Sequence, residues 1–169
     1  ELDIALVEGE VHHQDLIMVP CIRDFLVLGC SREHPFACRD EIHVSELRDQ
    51  KFIIREPGSG TRALSDRFIK RHSLRIRTSW EATCPDAFRN AILYNQCLAV
   101  VSVRLLERDI RSRQIRIFIP RTNELERSFS LVYHKDKVFT PAMDAFRNII
   151  AHYRQPDWLD NIPVGTLME

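Results

Sequence analysis

Three short stretches of the 169-residue chain place glycines or hydroxyls at strand ends, where helix starts suit a small anion. The first is Arg55-Glu56-Pro57-Gly58-Ser59-Gly60-Thr61-Arg62, running from the end of an apolar run into a helix-like one. Gly58 and Gly60 let backbone approach a ligand closely. Ser59 and Thr61 set hydroxyls beside the free N–H groups at the positive end of a helix dipole. Arg62 adds charge. An ordinary helix cap accounts for such a turn equally well, and it is not a P-loop, because no Gly-Lys-Ser/Thr follows. The second stretch is Thr83-Cys84 before Pro85, again a strand end meeting a helix start, where a plain capping role for Thr83 competes. In the third, Ser102 closes an all-apolar strand. Gly9, after the run Leu2–Glu8, suits the opposite lip of a cleft.

Other chemistry-bearing residues carry less. His12-His13 has no carboxylate or cysteine at metal spacing, so two surface histidines is the simpler account. Cys84 at a helix N-terminus has the setting that lowers a thiol pKa, yet no His or acid is marked as its base. There are no paired carboxylates and no triad order, so an enzyme is not expected. No metal set and no cofactor motif is expected either. The basic run Arg67, Lys70, Arg71, Arg75 and Arg77 reads as a solvated helix face.

The elements that must position these stretches alternate along the chain. Apolar runs at Leu2–Glu8, Leu16–Cys21 and Phe25–Cys30 read as strands, with Pro20 as a hinge or edge marker. A short helix capped by Ser45 and a strand Lys51–Glu56 follow. The spacing of Leu64, Phe68 and His72 predicts a helix from Ser59 to His72, with Asp66 and Lys70 as an i,i+4 pair. Arg75–Ala82 is a strand, and Pro85 opens a helix with the stripe Phe88, Ala91, Ile92 and Asn95. Strands at Cys97–Val103, Ile115–Ile119 and Ser128–His134 come next, with a short helix from Arg104. Thr140-Pro141 opens a last helix whose core stripe is Met143, Phe146, Ile149, Ile150 and Tyr153. The tail 156–169, with Pro156 and Pro163, reads as irregular. This alternation argues for an α/β fold with a mainly parallel sheet.

Composition sets bounds on partners. Lysine and arginine number 24 against 24 acidic residues, a formal charge of zero. A surface gripping phosphates shows a basic excess, so this segment is not expected to hold DNA unaided. Five scattered cysteines (Cys21, Cys30, Cys38, Cys84, Cys97) form no CxxC pair, and that usage suits a reducing cytoplasm. No run approaches the roughly 20 apolar residues of a membrane helix, and no signal peptide is seen. Entry into a strand at Glu1-Leu2-Asp3 without a methionine reads as a fragment of something longer.

Taken in order, several stretches resemble the effector-binding domain of LysR-type transcriptional regulators. Glu1 to Gly9 resembles the family's "GELDLAL" strand, and Phe25-Leu26-Val27-Leu28 with His34-Pro35-Phe36-Ala37 resembles "LVLV…HPLA". Phe52–Arg62 resembles the "FI.RE.GSGTR" turn of the subgroup regulating carbon fixation and sulfur assimilation. Leu98 to Ser102 resembles "GIAILS", and Leu131 to Lys137 with Thr140-Pro141-Ala142 resembles the returning strand and last helix. One departure is Asn95-Gln96-Cys97, where the family usually has glycines.

The resemblance implies a fold like the type 2 periplasmic binding proteins, two Rossmann-like subdomains with a cleft between them, the first incomplete here. Residues 1–20 and 128–155 would be the remnant of subdomain 1, residues 21–127 subdomain 2, and 156–169 the tail. It implies effector contacts at Gly58, Ser59, Gly60, Thr61, Thr83 and Ser102, faced by Glu8 and Gly9. The implied partners are a small anionic effector, DNA through a helix-turn-helix domain preceding this segment, and further copies of the chain, with no membrane. A solute-binding protein of a transport system shares the fold and is the alternative.

Overall fold

The computed structural model describes residues 2–9, 11–154 and 163–169, and these fall into two compact units. The chain passes between the units at Asp24/Phe25 and again at Leu125/Glu126. These points lie a few residues inside the boundaries expected at residues 20 and 128. The reason is that Pro20 does not interrupt anything. The runs on either side of it form one strand, β2 (Leu16–Ser31), which passes through the boundary. Pro20 sits on an exposed stretch of it, where a missing N–H costs little.

In the first unit, β1 (Ile4–Glu8) pairs antiparallel with β8 (Glu126–His134), Leu6 opposite Leu131. Helix α4 (Pro141–Ala151) opens as expected: the Thr140 hydroxyl accepts the Met143 N–H at 3.3 Å, and Pro141 fills the first turn. Its apolar stripe is only partly used. Met143 and Ile150 are buried, whereas Phe146 and Tyr153 are partly open and Ile149 is 69% exposed. Met143 and Ile150 stand seven residues apart on one face, and Ile149 lies about 100° round the helix from Ile150.

In the second unit, the end of β2 pairs antiparallel with both β6 (Ala99–Ser102) and β7 (Ile115–Pro120), which the short helix α3 (Glu107–Arg111) separates in sequence, placing Val27 opposite Val101 and Leu28 opposite Phe118. Strands β4 (Lys51–Arg55) and β5 (Arg77–Ala82) are parallel to each other, and a parallel bridge from Phe52 to Leu98 ties β4 to the start of β6. The sheet is therefore mixed rather than mainly parallel, because β2 runs opposite to β6 and β7. Leu26, Leu28, Phe52, Val100 and Phe118 form the core with Leu64 and Phe68 of helix α1 (Gly60–Arg71). All seven are more than 90% buried.

Three local expectations need correction. Asp66 pairs backward with Arg62 (2.8 Å) rather than forward with Lys70. The turn at Val44–Leu47 is capped by His43, whose N–H donates to Glu46 at 2.9 Å, and Ser45 lies inside it. The tail is not irregular throughout: residues 156–162 lie outside the described residues, but Gly165–Met168 is a strand, β9. It runs parallel to β7 on one side and to β3 (Glu41–His43) on the other. Its alternation, with Gly165 and Leu167 buried and Thr166 and Met168 half-buried, is a strand pattern too short to stand out among prolines.

Candidate functional site

The parallel register of β4 with β5 sets Ile54 opposite Glu81 and Arg55 opposite Ala82, so both strands end together. The two turns that follow, Glu56 to Ser59 and Thr83-Cys84, are thus neighbours, and each opens a helix: α1 and α2 (Pro85–Asn95). β6, bridged in parallel to β4, ends at Ser102 on the same edge. In this unit the carboxyl ends of three parallel strands and the starts of the helices behind them converge, the usual place for a ligand in an α/β sheet. The fold brings Gly58, Ser59, Gly60, Thr61, Thr83 and Ser102 to that one edge.

The geometry of the first turn follows from its residues. Gly58 has φ +90°, which a side chain resists, and a Cβ there would meet nothing within 4 Å, so the glycine is needed for backbone shape rather than space. Ser59 is the N-cap of α1, and its carbonyl accepts the first helical bond from Ala63 at 3.0 Å. The N–H groups of Gly60, Thr61 and Arg62 precede that bond. The Ser59 hydroxyl makes no capping bond, and at α2 the N-cap Cys84 makes none either. Elsewhere the chain does use side-chain caps: Thr140 on α4, and Ser102, whose hydroxyl accepts the Arg104 N–H at 3.3 Å. Thr61 is buried, whereas Thr83 is exposed.

A cavity of about 270 Å³ lies at this edge, lined by Glu56, Glu81, Ala82, Thr83, Cys84 and Ala87. Its two carboxylates were not anticipated from sequence. Arg55 grips Glu56 through two bonds of 2.8 Å, and this fork, with the backbone, holds the Glu56 carboxyl below its ordinary range. Arg62 reaches Glu81 at 3.4 Å and donates to the Arg55 carbonyl at 2.8 Å. The charge expected of Arg62 is therefore spent inside the turn, neutralising acid and fixing the loop. The alternation of β5, which points Glu81 and Thr83 to one side, is the signal that could have found the acid.

Gly9 and Glu8 belong to the other unit. Gly9 has φ +84°, and its N–H reaches the Ser128 carbonyl at 3.3 Å. The Glu8 carboxylate lies 3.1 Å from the Arg127 guanidinium. At the family's usual glycine position, Gln96 rather than Asn95 takes the left-handed conformation, φ 52°, closing α2 with its N–H on the Ala91 carbonyl. Although no metal spacing is visible in the sequence, His72, Glu124 and Glu169 bring one donor atom each within 4.8 Å of one another. Among the described residues no helix is long and apolar enough to cross a membrane.

Comparison with known proteins gives a consistent result. The family model of the LysR substrate binding domain matches residues 1–155. The HTH-type transcriptional regulator CysL of Bacillus subtilis is 28% identical over 148 residues, covering 88% of this chain and 48% of that protein. A RuBisCO operon transcriptional regulator of Allochromatium vinosum is 30% identical over 125 residues, covering 74% of this chain and 41% of that protein. The chain thus spans about half the length of the curated relatives it matches. Among solved structures, the Synechocystis PCC6803 CcmR regulatory domain in complex with 2-PG superposes with TM-score 0.80 at 25% identity, covering 88% of this chain and 72% of that one. The effector binding domain of QuiR in complex with shikimate shares the fold, with TM-score 0.74 at 18% identity over 89% of this chain and 71% of its own.

Proposed function

The chain belongs to the family of LysR substrate binding domains, and from that premise we propose that it senses a small anionic metabolite for a DNA-binding transcriptional regulator. One observation carries the proposal of the site. The two helices that start side by side at the carboxyl edge of β4 and β5 both lack a side-chain cap. Helix starts present backbone donors outward, and the start of α2 lines the cavity at this edge. An oxyanion is the partner such donors accept most readily.

The roles follow from position. The N–H groups of Gly60 and Thr61 would bind one oxygen, with the Ser59 hydroxyl beside them. Thr83 would supply a hydroxyl from the neighbouring turn, and Ser102 marks the third strand end. The resemblance implies Glu8 and Gly9 as further effector contacts. The metabolite complexes of the CcmR and QuiR domains support a small-molecule role for this fold. The curated relatives are transcriptional regulators, which leaves a transport role without support. DNA contact and assembly into oligomers are proposed for the regulator as a whole. Effector binding would act through a difference in affinity between two conformations.

Thermal unfolding of the chain in the presence of a panel of small carboxylates and phosphorylated acids tests this, with Ser59→Ala alongside. A ligand at about 100 times its dissociation constant adds roughly 2.7 kcal/mol of stability. Stabilisation of the parent but not of Ser59→Ala supports the site. Equal stabilisation of both proteins, or none by any compound, removes it.

A further inference from the structure

We propose that His72, Glu124 and Glu169 form a binding site for a borderline divalent transition-metal ion of the zinc type. The three residues are far apart in the chain and come from three elements of one unit. His72 ends α1, Glu124 sits in the turn Asn123–Leu125, and Glu169 follows β9. One donor atom of each lies within 4.8 Å of the other two, and the His72 Nε2 to Glu124 Oε2 distance is 2.9 Å. Ligand bonds near 2.0–2.1 Å place neighbouring donors about 3.3 Å apart in a tetrahedral zinc site, so small side-chain movements close the set.

The two inner ligands are already oriented. The His72 ring packs on Phe68 with centroids 4.8 Å apart, which leaves Nε2 facing Glu124. On Glu124, the Thr122 hydroxyl donates to Oε1 at 2.9 Å, and Oε2 turns toward the cluster. Outer partners that fix ligand atoms in this way are what metal sites require. The Glu124 side chain is only 5% exposed and that of His72 12%. Arg71, with Nε 3.6 Å from Oε2, is the one guanidinium paired with the two carboxylates among the described residues. Two carboxylates against that one guanidinium, at the negative end of the α1 dipole, make a setting that draws a cation. An imidazole with two carboxylates and no thiolate suits zinc, manganese, cobalt or iron(II) rather than copper(I). A simple His72–Glu124 ion pair would need no Glu169. The ion would clip the end of β9 to α1.

The test is equilibrium dialysis of the metal-stripped chain against zinc chloride, with bound zinc counted by atomic emission, for the parent, Glu169→Gln and His72→Gln. Cobalt(II) is added in parallel for its visible ligand-field bands. We expect one zinc per parent chain, and affinity about ten-fold weaker or worse in each variant. We also expect parent cobalt bands without thiolate charge transfer. Glu169 is exposed, so Glu169→Gln keeps the fold and decides the matter alone if His72→Gln unfolds. No retained zinc in the parent, or equal retention by Glu169→Gln, overturns the proposal. Thiolate bands would assign the metal to cysteines and overturn it as well.

Discussion

Arg127 and Asp24 meet at 2.8 Å where the chain passes between its two units, and their side chains are 7% and 0% exposed. The same guanidinium reaches Glu8 at 3.1 Å, so one buried cation serves two carboxylates at the crossing. Removing it takes a counter-charge from a carboxylate that water cannot reach. Arg127→Met should lower the stability of the first unit by about 3–5 kcal/mol, read from denaturant unfolding. A loss below about 1 kcal/mol would mean that Asp24 finds other compensation.

Two serine and threonine substitutions should separate capping from binding. Thr140→Ala removes the bond to the Met143 N–H and should cost about 1 kcal/mol. Ser59→Ala removes no capping bond and should leave the thermal midpoint of the unliganded protein nearly unchanged. A comparable loss in both would show that the Ser59 hydroxyl serves the helix rather than a ligand.

Acid stability should depend visibly on Glu46. Its two bonds from Arg39, 2.5 and 2.9 Å, and the His43 N–H lower its pKa from 4.5 to about 2. A depressed folded pKa stabilises the protein above the unfolded value, and that contribution fades as pH falls from 4.5 toward 2. Glu46→Gln should therefore flatten the loss of stability across that window. An unchanged acid limb, followed by circular dichroism, would count against the fork as the source.

Thiol chemistry should sort by burial. Cys38 and Cys84 are exposed, while desolvation pushes the Cys30 thiol up to about 12. Near neutral pH iodoacetamide should label Cys38 and Cys84 in the folded protein and spare Cys30 and Cys97, as mass spectrometry would show. Labelling of Cys30 at a comparable rate would reveal opening of the core.

How much of this was legible beforehand depends on the range of the interaction. The helix from Ser59 was readable because Leu64 and Phe68 repeat at the helical period, and both are buried in the structure. The turn at Gly58 was readable because φ +90° demands glycine. The continuity of β2 was not, because a proline in an exposed edge stretch looks in sequence like a break. Nor was the choice of Gln96 over Asn95 for the left-handed position, which the end of α2 decides rather than local preference. The fork from Arg55 to Glu56 and the spending of Arg62 on Glu81 depend on β4 lying beside β5. His72, Glu124 and Glu169 meet only through the folded chain.

The position of β9 bears on where this domain can be cut. The family match stops at residue 155, whereas β9 lies at Gly165–Met168 and is the hydrogen-bonded neighbour that joins β3 to β7. A Cβ on Gly165 would strike the Phe118 ring, so the strand is seated against the centre of the core. An expression boundary drawn from family alignment alone would excise that strand and leave the flanks of β3 and β7 as bare backbone. Such edges recruit other chains. A preparation trimmed in this way should clump on concentration, and its behaviour would say nothing about the intact domain.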